Sequence, residues 1–181
     1  MWKKIVVVVL IVSLVTFGGL FFLSYTSPTE YAVTRETTIN ASKEEVFAYV
    51  KMLKNQNEWG PWFKKDPTMQ QEFRGTDGQP GFVASWKGGS ETGEGEQEIK
   101  KVTDSQIETE LRFKKPFEAS ANSTITTAPA GEGQTKVTWA MKGDVPRPMN
   151  LLLLVMDMDK EAGKDFAEGL ATLKAKMEAQ Q

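Results

Sequence analysis

The chain has 181 residues, enough for one globular domain and a short extra segment, and its 40% hydrophobic content is typical of a protein with a packed core. The formal net charge of -2 gives no long-range attraction to nucleic acid, so we expect no nucleic-acid partner. The chain lacks cysteine and histidine, which excludes disulfides, thiolate nucleophiles and the commonest general base and metal ligand. We therefore predict no metal, no cofactor and no catalytic residue. An enzyme would have to use carboxylates, tyrosine, lysine or arginine.

The amino-terminal residues predict a membrane span. Lys3 and Lys4 precede an uncharged and mostly apolar run over residues 5–23, which as a helix would extend roughly 28 Å, close to the thickness of the hydrocarbon layer. A signal-peptide core usually has only about 7 to 15 residues, and no convincing cleavage pattern follows this run. We therefore interpret residues 1–24 as a membrane anchor, with a cleaved signal sequence as the alternative.

The distribution of positive charge predicts the orientation of this anchor. After Lys3 and Lys4 no lysine or arginine occurs until Arg35, so the amino terminus should stay in the cytoplasm. We expect a single-pass membrane protein whose carboxyl-terminal domain, residues 31–181, lies on the outer side, periplasmic or extracellular. Residues 25–30 are short and polar and are predicted to be a plain linker.

The first half of the domain begins with a strand and short helices. Residues 31–40 alternate as a strand, and Ser42 and Glu45 form a capping box that begins a short helix. Trp59 and Trp62 suggest a second helical turn that Gly60 and Pro61 end. We expect these tryptophans to pack the short helices against a sheet, with a place at a pocket mouth or contact with the membrane surface as the alternative.

Six further strands are predicted between residues 69 and 144. They cover residues 69–75, 81–87, 92–102, 105–113, 117–127 and 134–144, and glycine, proline and aspartate between them give the turn chemistry of successive hairpins. Alternation along these strands turns large apolar side chains and several small ones to the same inward face. The acidic row Glu94, Glu96 and Glu98 is predicted to face outward.

A helical pattern ends the chain. From Pro148 to about Ala179 apolar residues recur at steps of three and four, and a helix of that length, on the order of 45 Å, must lie across the face of the sheet. Val155, Met158, Ala162, Phe166 and Leu170 are predicted to face the sheet, where Gly163 and Gly169 would permit close approach. A helix laid on a curved sheet can enclose a pocket.

An ordered set of motifs resembles a known family. The set comprises Trp59-Gly-Pro-Trp62, Asp66-Pro67, Gly81 and Trp86, Gly93-Glu-Gly95, Lys115-Pro116, the 135–139 segment and the 163–174 pattern. Together they resemble the polyketide cyclase/dehydrase and lipid-transport family of the START-like, SRPBCC or helix-grip superfamily, over about residues 31–178. The resemblance implies an α+β fold in which a seven-stranded antiparallel sheet wraps around the long carboxyl-terminal helix, with a deep cavity between them. It implies no single activity, because members of the superfamily bind lipids, assist polyketide ring closure or act as receptors on one scaffold.

The predicted faces identify candidate cavity residues. Small inward residues such as Ala84, Thr109 and Ala121 leave volume that the large side chains do not fill. Arg35 falls on the apolar face of the first strand and either leans to an edge or serves as a polar anchor for a ligand. The candidate lining residues are Phe82, Trp86, Phe113, Phe117, Trp139, Met141, Val155, Met158 and Phe166.

Three functions are compatible with this pattern. We favour a membrane-tethered binding module that holds a lipid-like or other hydrophobic small molecule between the sheet and the carboxyl-terminal helix. A polyketide cyclase/dehydratase-like enzyme is the first alternative, and two or more ionisable groups converging in the pocket would indicate it. A protein-interaction domain without a ligand is the second, and a contiguous exposed apolar patch would indicate it.

Overall fold

The structure is a computed structural model that describes residues 1–179, so residues 180 and 181 of the predicted domain lie outside the described residues. Seven strands and a carboxyl-terminal helix are present, which confirms the predicted α+β architecture. The elements are α1 (Trp2–Thr26), β1 (Glu30–Ile39), α2 (Lys43–Val50), a 3₁₀ turn (Leu53–Asn55), α3 (Gln56–Trp59), α4 (Trp62–Lys65), β2 (Gln70–Arg74), β3 (Val83–Lys87), β4 (Glu94–Val102), β5 (Gln106–Lys115), β6 (Ala119–Gly131), β7 (Gln134–Asp144), a 3₁₀ helix (Met149–Leu154) and α5 (Met158–Glu178).

The strands form one antiparallel sheet in the order β1-β7-β6-β5-β4-β3-β2. Glu30 pairs with Asp144 at one end of this sheet, and Glu94 pairs there with both Lys87 and Lys115. We call this the near end, because the chain reaches it directly from α1. The opposite, far end holds Ile39 and the β6–β7 turn. The loops at residues 88–93 and 116–118 therefore lie at the near end.

The short helices connect the two ends of the sheet. Ser42 caps α2 as predicted, since its hydroxyl accepts from the Glu45 amide and the Glu45 carboxylate accepts from the Ser42 amide. Because β1 ends at the far end and β2 begins at the near end, the intervening segment has to cross the sheet. It does so over the concave face, and α4 is consequently close to the near end.

Helix α5 lies along β1 and closes the concave face. Asp159, the second residue of α5, contacts Arg35 on β1. At the last residue of α5, the Glu178 carboxylate accepts from the Asn40 amide. Because Arg35 is in the middle of β1, the helix runs from beside the middle of that strand to the far end. Its sheet-facing side chains are buried, among them Phe166, Leu170 and Leu173.

The prediction of one continuous helix from Pro148 is wrong. A 3₁₀ helix (Met149–Leu154) comes first, and α5 begins separately after Asp157, whose carboxylate caps it by accepting from the Lys160 amide at 3.0 Å. The 21 residues of α5 extend about 31 Å rather than 45 Å. The break also changes the helical phase, so Val155 does not face the sheet and is 82% exposed.

The connection between α1 and the domain differs from a plain linker. Helix α1 is long and apolar enough to cross a membrane, a property that an amino-terminal signal sequence shares. It continues to Thr26, and Ser24 and Ser27 at its end are buried. The Asn150 side chain holds this end, since its amide donates to the carbonyl oxygens of Ser24, Ser27 and Pro28. These carbonyls lack partners within the helix, which explains why an amide binds there.

Candidate functional site

A cavity of about 500 Å³ lies between the concave face of the sheet, the short helices and the first half of α5. Its wall includes Tyr31, Trp86, Phe113 and Met141, which lie on four strands close to the near end. Met158 contributes from the beginning of α5. The cavity therefore occupies the near half of the domain, where α4, the 88–93 loop and the first turns of α5 surround its mouth.

Most of the predicted lining residues meet at this cavity, and three do not. Phe82 is buried at 1% exposure and stacks on Phe73, whose ring lines the cavity in its place. Phe117 precedes β6 on the loop at the near end and is 38% exposed. Val155 is exposed because of the break before α5. The predicted residues that the structure brings together at the cavity are Trp86, Phe113, Trp139, Met141, Met158 and Phe166.

An aromatic cluster around Trp139 forms one wall. The Phe166 ring stacks on Trp139 with centroids 3.9 Å apart, and Trp59 and Trp62 approach the same indole edge-on at 5.1 and 5.6 Å. The Trp139 indole N–H donates to the Ser123 hydroxyl at 3.0 Å. Trp59 packs in the core as predicted, whereas Trp62 both packs against Trp139 and lines the cavity.

The two glycines of α5 permit the predicted close approach. A Cβ at Gly169 would lie 3.1 Å from the Trp139 ring, and one at Gly163 would collide with the Arg35 guanidinium. At Gly169 a methyl group would press against the Trp139 ring, and at Gly163 even a methyl group would displace the guanidinium. The Trp139 cluster depends on the first of these contacts.

The opposite wall is formed by Trp86 and Phe113, whose rings meet edge-on at 5.9 Å. A side chain at Gly95 would collide with the Trp86 ring, so the cross-strand glycine provides the space that the indole occupies. The Trp86 indole N–H donates to the Thr92 carbonyl at 3.1 Å, which connects this wall to the 88–93 loop.

Asp66 holds the 88–93 loop at the mouth. Its carboxylate accepts from the Gly89 amide and the Thr92 hydroxyl, both at 2.8 Å, and from the amide and hydroxyl of Thr68. Hydrogen bonds from Gly89, Thr68 and Thr92 lower the pKa of Asp66 to about 2. This loop carries the lining residues Glu91 and Thr92, so Asp66 positions part of the mouth.

The polar side chains of the interior are mostly neutral and form hydrogen bonds with one another. The amides of Asn57 and Gln71 exchange hydrogen bonds of 2.7 and 3.0 Å, and the Gln97 amide donates to the Thr109 hydroxyl at 2.9 Å. Tyr31 is half-buried, and burial, followed by the charge of Asp144, raises the pKa of its phenol. No local sequence motif marks these polar residues as site residues, although strand alternation places Gln97 on the inward face.

Charged side chains lie at the mouth. The Lys65 ammonium on α4 contacts the Asp165 carboxylate on α5 at 2.5 Å, and Glu161 and Lys164 line the same opening. The Lys65–Asp165 pair joins the two helices across the mouth. Among residues 1–179, no group of three or more acidic side chains is arranged to hold a metal ion.

Arg35 lies outside the cavity, at the edge where α5 crosses β1. Its guanidinium donates to the Asp159 carboxylate at 2.9 Å and to the Asp159 carbonyl at 2.8 Å. The hydrogen bond between the two side chains raises the pKa of Arg35 and lowers the pKa of Asp159. The structure thus places Arg35 at the edge of the sheet, paired with Asp159, and not among the residues that line the cavity. Gly163 removes the side chain that would otherwise occupy this place.

The acidic row lies on the outer face of the sheet, as predicted. Glu96 and Glu98 both contact the Arg112 guanidinium, at 2.9 and 2.8 Å, and Glu94 contacts Lys115 at 2.8 Å. Hydrogen bonds from these cations lower the pKa values of the three carboxylates. These carboxylates point away from the cavity.

Comparison with known proteins gives the fold and the family. Norcoclaurine synthase from Thalictrum flavum superposes with a TM-score of 0.60 at 11% identity, covering 84% of this chain and 88% of that one. The Mll3558 protein from Rhizobium loti superposes with a TM-score of 0.58 at 19% identity, covering 81% and 96%. A norcoclaurine synthase point mutant in complex with a transition-state analogue gives 0.57 at 13% identity, covering 83% and 99%. At these identities the likeness shows the fold alone.

The family assignment comes from the sequence itself. No curated protein matches the sequence. The family described as polyketide cyclase / dehydrase and lipid transport matches residues 31–178, which is nearly all of the domain. The match covers the sheet, the short helices and α5, the elements that surround the cavity. The chain therefore belongs to the polyketide cyclase/dehydrase and lipid-transport family.

Proposed function

We propose that this chain is a membrane-anchored binding module that holds a lipid-like or other hydrophobic small molecule in the cavity beneath α5. The observation that carries the proposal is the cavity itself, about 500 Å³ in volume with aromatic walls. This volume is within the range of small-molecule sites, roughly 300–1,000 Å³. The family, which includes lipid transport, supports the same function.

The distribution of polarity favours an amphiphilic ligand. The deep walls are formed by Trp139, Phe166, Trp86 and Phe113, and the interior amides and hydroxyls mostly bond to one another. Burial of an apolar body against these walls contributes about 25 cal/mol per Å² of apolar surface. The charged groups lie at the mouth, where a polar head group would remain in contact with water.

The charges also distinguish binding from catalysis. An acid-base mechanism needs ionisable groups that converge on one reacting atom inside the pocket. Lys65 and Asp165 instead neutralise each other across the mouth, and the raised pKa of Tyr31 keeps its phenol protonated. These features support a binding role over a cyclase/dehydratase-like one.

The anchoring part of the proposal depends on α1. Its length and apolar composition suit a bilayer, and Lys3 and Lys4 favour a cytoplasmic amino terminus with the domain on the outer side. Intact-mass measurement of the chain recovered from membranes tests whether α1 is retained. Recovery of a chain that begins beyond residue 26 would contradict the anchor and leave the cavity proposal standing.

Native mass spectrometry of the full chain, released from nanodiscs, tests ligand binding. We expect a co-purifying apolar molecule in the wild type and its loss in Ala162→Phe, because Ala162 lines the cavity and a phenyl ring there would occupy it. Ala171→Phe is the matched control, since Ala171 is exposed on the other side of the same helix. A ligand-free wild type, or equal loading of both variants, would contradict the proposal. Chemical conversion of the bound molecule would indicate the enzyme alternative.

A further inference from the structure

We propose that residues 149–156 are a membrane-docking surface that seats the near end of the domain in the lipid interface, with the cavity mouth turned toward the bilayer. The inference rests on the proposed anchoring by α1 and adds an interaction surface to it. The occupant is the phospholipid surface that α1 enters. This surface is continuous with the end of α1, because Asn150 contacts Ser24 in the last turn of that helix.

The end of α1 determines the depth of the segment. The uncharged residues 5–23 would extend about 28 Å as a helix, close to the hydrocarbon thickness of about 30 Å. Ser24 is therefore at the lipid interface, and its hydroxyl donates to the side-chain amide oxygen Oδ1 of Asn150 at 2.7 Å. Because Asn150 is in direct contact with the last turn of α1, the residues that follow it lie at the same depth.

The side chains of this segment are suited to lipid rather than to water. Leu154, Val155 and Met156 are consecutive and exposed by 51%, 82% and 46%. A run of large apolar side chains on a surface beside a membrane span has the character of an interfacial segment. The break before α5, which removes Val155 from the cavity, is what turns it outward.

The connection leaves the domain little freedom to move away. Three residues separate Thr26 from Glu30, so even a fully extended chain would reach only about 10–14 Å. Asn150 is completely buried and donates to three carbonyls of this connection. Arg147 donates to the Ser24 carbonyl at 3.1 Å and lies over the Tyr25 ring at 5.1 Å. Tyrosine is enriched at the membrane–water interface, where its amphipathic ring lies at the level of the head groups.

The cavity mouth is on this same end of the domain. Met158 lines the cavity only two residues after Met156, and the 88–93 loop at the near end lines it from the other side. Docking of residues 149–156 therefore places the mouth beside the lipid surface. A hydrophobic ligand could then enter from the bilayer with little exposure to water.

Single-cysteine labelling tests the depth of this surface, since the chain has no native cysteine. The full chain is reconstituted in phosphatidylcholine vesicles, with an environment-sensitive fluorophore at Val155→Cys or at Glu132→Cys. Glu132 is in the exposed β6–β7 turn at the far end and is the matched control. We expect nitroxide-labelled lipids to quench the label at 155 and to leave the label at 132 unquenched. Equal accessibility of both labels to a water-soluble quencher would overturn the proposal.

The variant Asn150→Ala tests the connection. We expect the label at 155 to move into water in this variant while near-UV circular dichroism reports a folded domain. Unchanged lipid quenching would overturn the role of Asn150 in seating the domain. Ligand binding is read separately by native mass spectrometry. If the label at 155 is quenched but no ligand is bound, the proposed function is wrong and the docking surface stands. If a ligand is bound but the label is not quenched, only the docking surface is wrong.

Discussion

Phe166→Ala tests whether the Trp139 cluster is both a structural and a binding wall. Phe166 is 3% exposed and stacks on Trp139 at 3.9 Å. Truncation of a core phenylalanine costs about 3–5 kcal/mol, which includes the loss of ring stacking. The ring also borders the cavity, so on that side it makes no contacts with protein atoms that the truncation would remove. We therefore expect a loss at the lower end of that range, about 3 kcal/mol.

This loss converts into a measurable shift in Tm. A domain of this size loses roughly 2–4 °C per kcal/mol, so Phe166→Ala should lower Tm by roughly 6–12 °C. Near-UV circular dichroism is the suitable measurement, because it follows tertiary packing of the tryptophans and not the helix content of α1. A shift below about 2 °C would contradict the tight stacking on which this estimate depends.

Leu173→Ala is the control for function. Leu173 is fully buried on the same helix and does not line the cavity, and Leu→Ala in a core costs about 3–5 kcal/mol. The two variants should therefore be destabilised to a similar degree. Well below both transitions, Phe166→Ala should carry less ligand in native mass spectrometry, and Leu173→Ala should carry as much as wild type. Equal loss from both would refute a specific role for the Phe166 wall.

Three further substitutions address the loop, the mouth and the contact of α5 with the sheet edge. The pKa of Asp66 is about 2, below its ordinary 3.8, so its contribution to stability is present above about pH 4 and lost as pH falls toward 2. Asp66→Asn should increase hydrogen exchange in the 88–93 loop at neutral pH and remove that acid transition. Lys65→Met should speed ligand exchange, because it removes the ion pair across the mouth. It should lower the free energy of unfolding by less than about 1 kcal/mol, because the pair with Asp165 is partly exposed. The double variant that swaps the lysine and the aspartate should restore slow ligand exchange. Gly163→Leu should lower stability by about 1–3 kcal/mol in thermal unfolding, because its side chain collides with a guanidinium.

Strand alternation predicted the sheet because each strand has one apolar face. Ile107, Thr109, Val137 and Trp139 are buried as the period of two requires. The glycine and proline turns between strands carry local information, so the hairpins were predictable too. The same reasoning identified the cavity wall wherever the lining residue lies within a regular strand.

The wrong predictions lie where local patterns compete. Apolar residues from Leu151 to Met158 continue a helical period, but Asp157 caps α5 and starts the period again. Phe117 lies outside the strand that alternation assigned to it. The choice between the two interpretations of Arg35, which the sequence left open, depends on Asp159, 124 positions away along the chain. Contacts of this kind depend on the tertiary fold and have no local signal.

The direction of the strands means that the position of the anchor determines which end of the domain faces the membrane. β1 leaves the near end and β7 returns to it, so the residues after β7 necessarily meet the end of α1. Helix α5 then runs to the far end, where Glu178 contacts Asn40. An anchor moved from the amino terminus to the carboxyl terminus should therefore leave the sheet and cavity intact and turn the mouth away from the membrane. We expect this rearranged chain to bind a detergent-dispersed ligand as the wild type does, but to load more slowly from labelled vesicles. Equally fast loading from vesicles would show that entry of the ligand does not depend on the orientation of the domain.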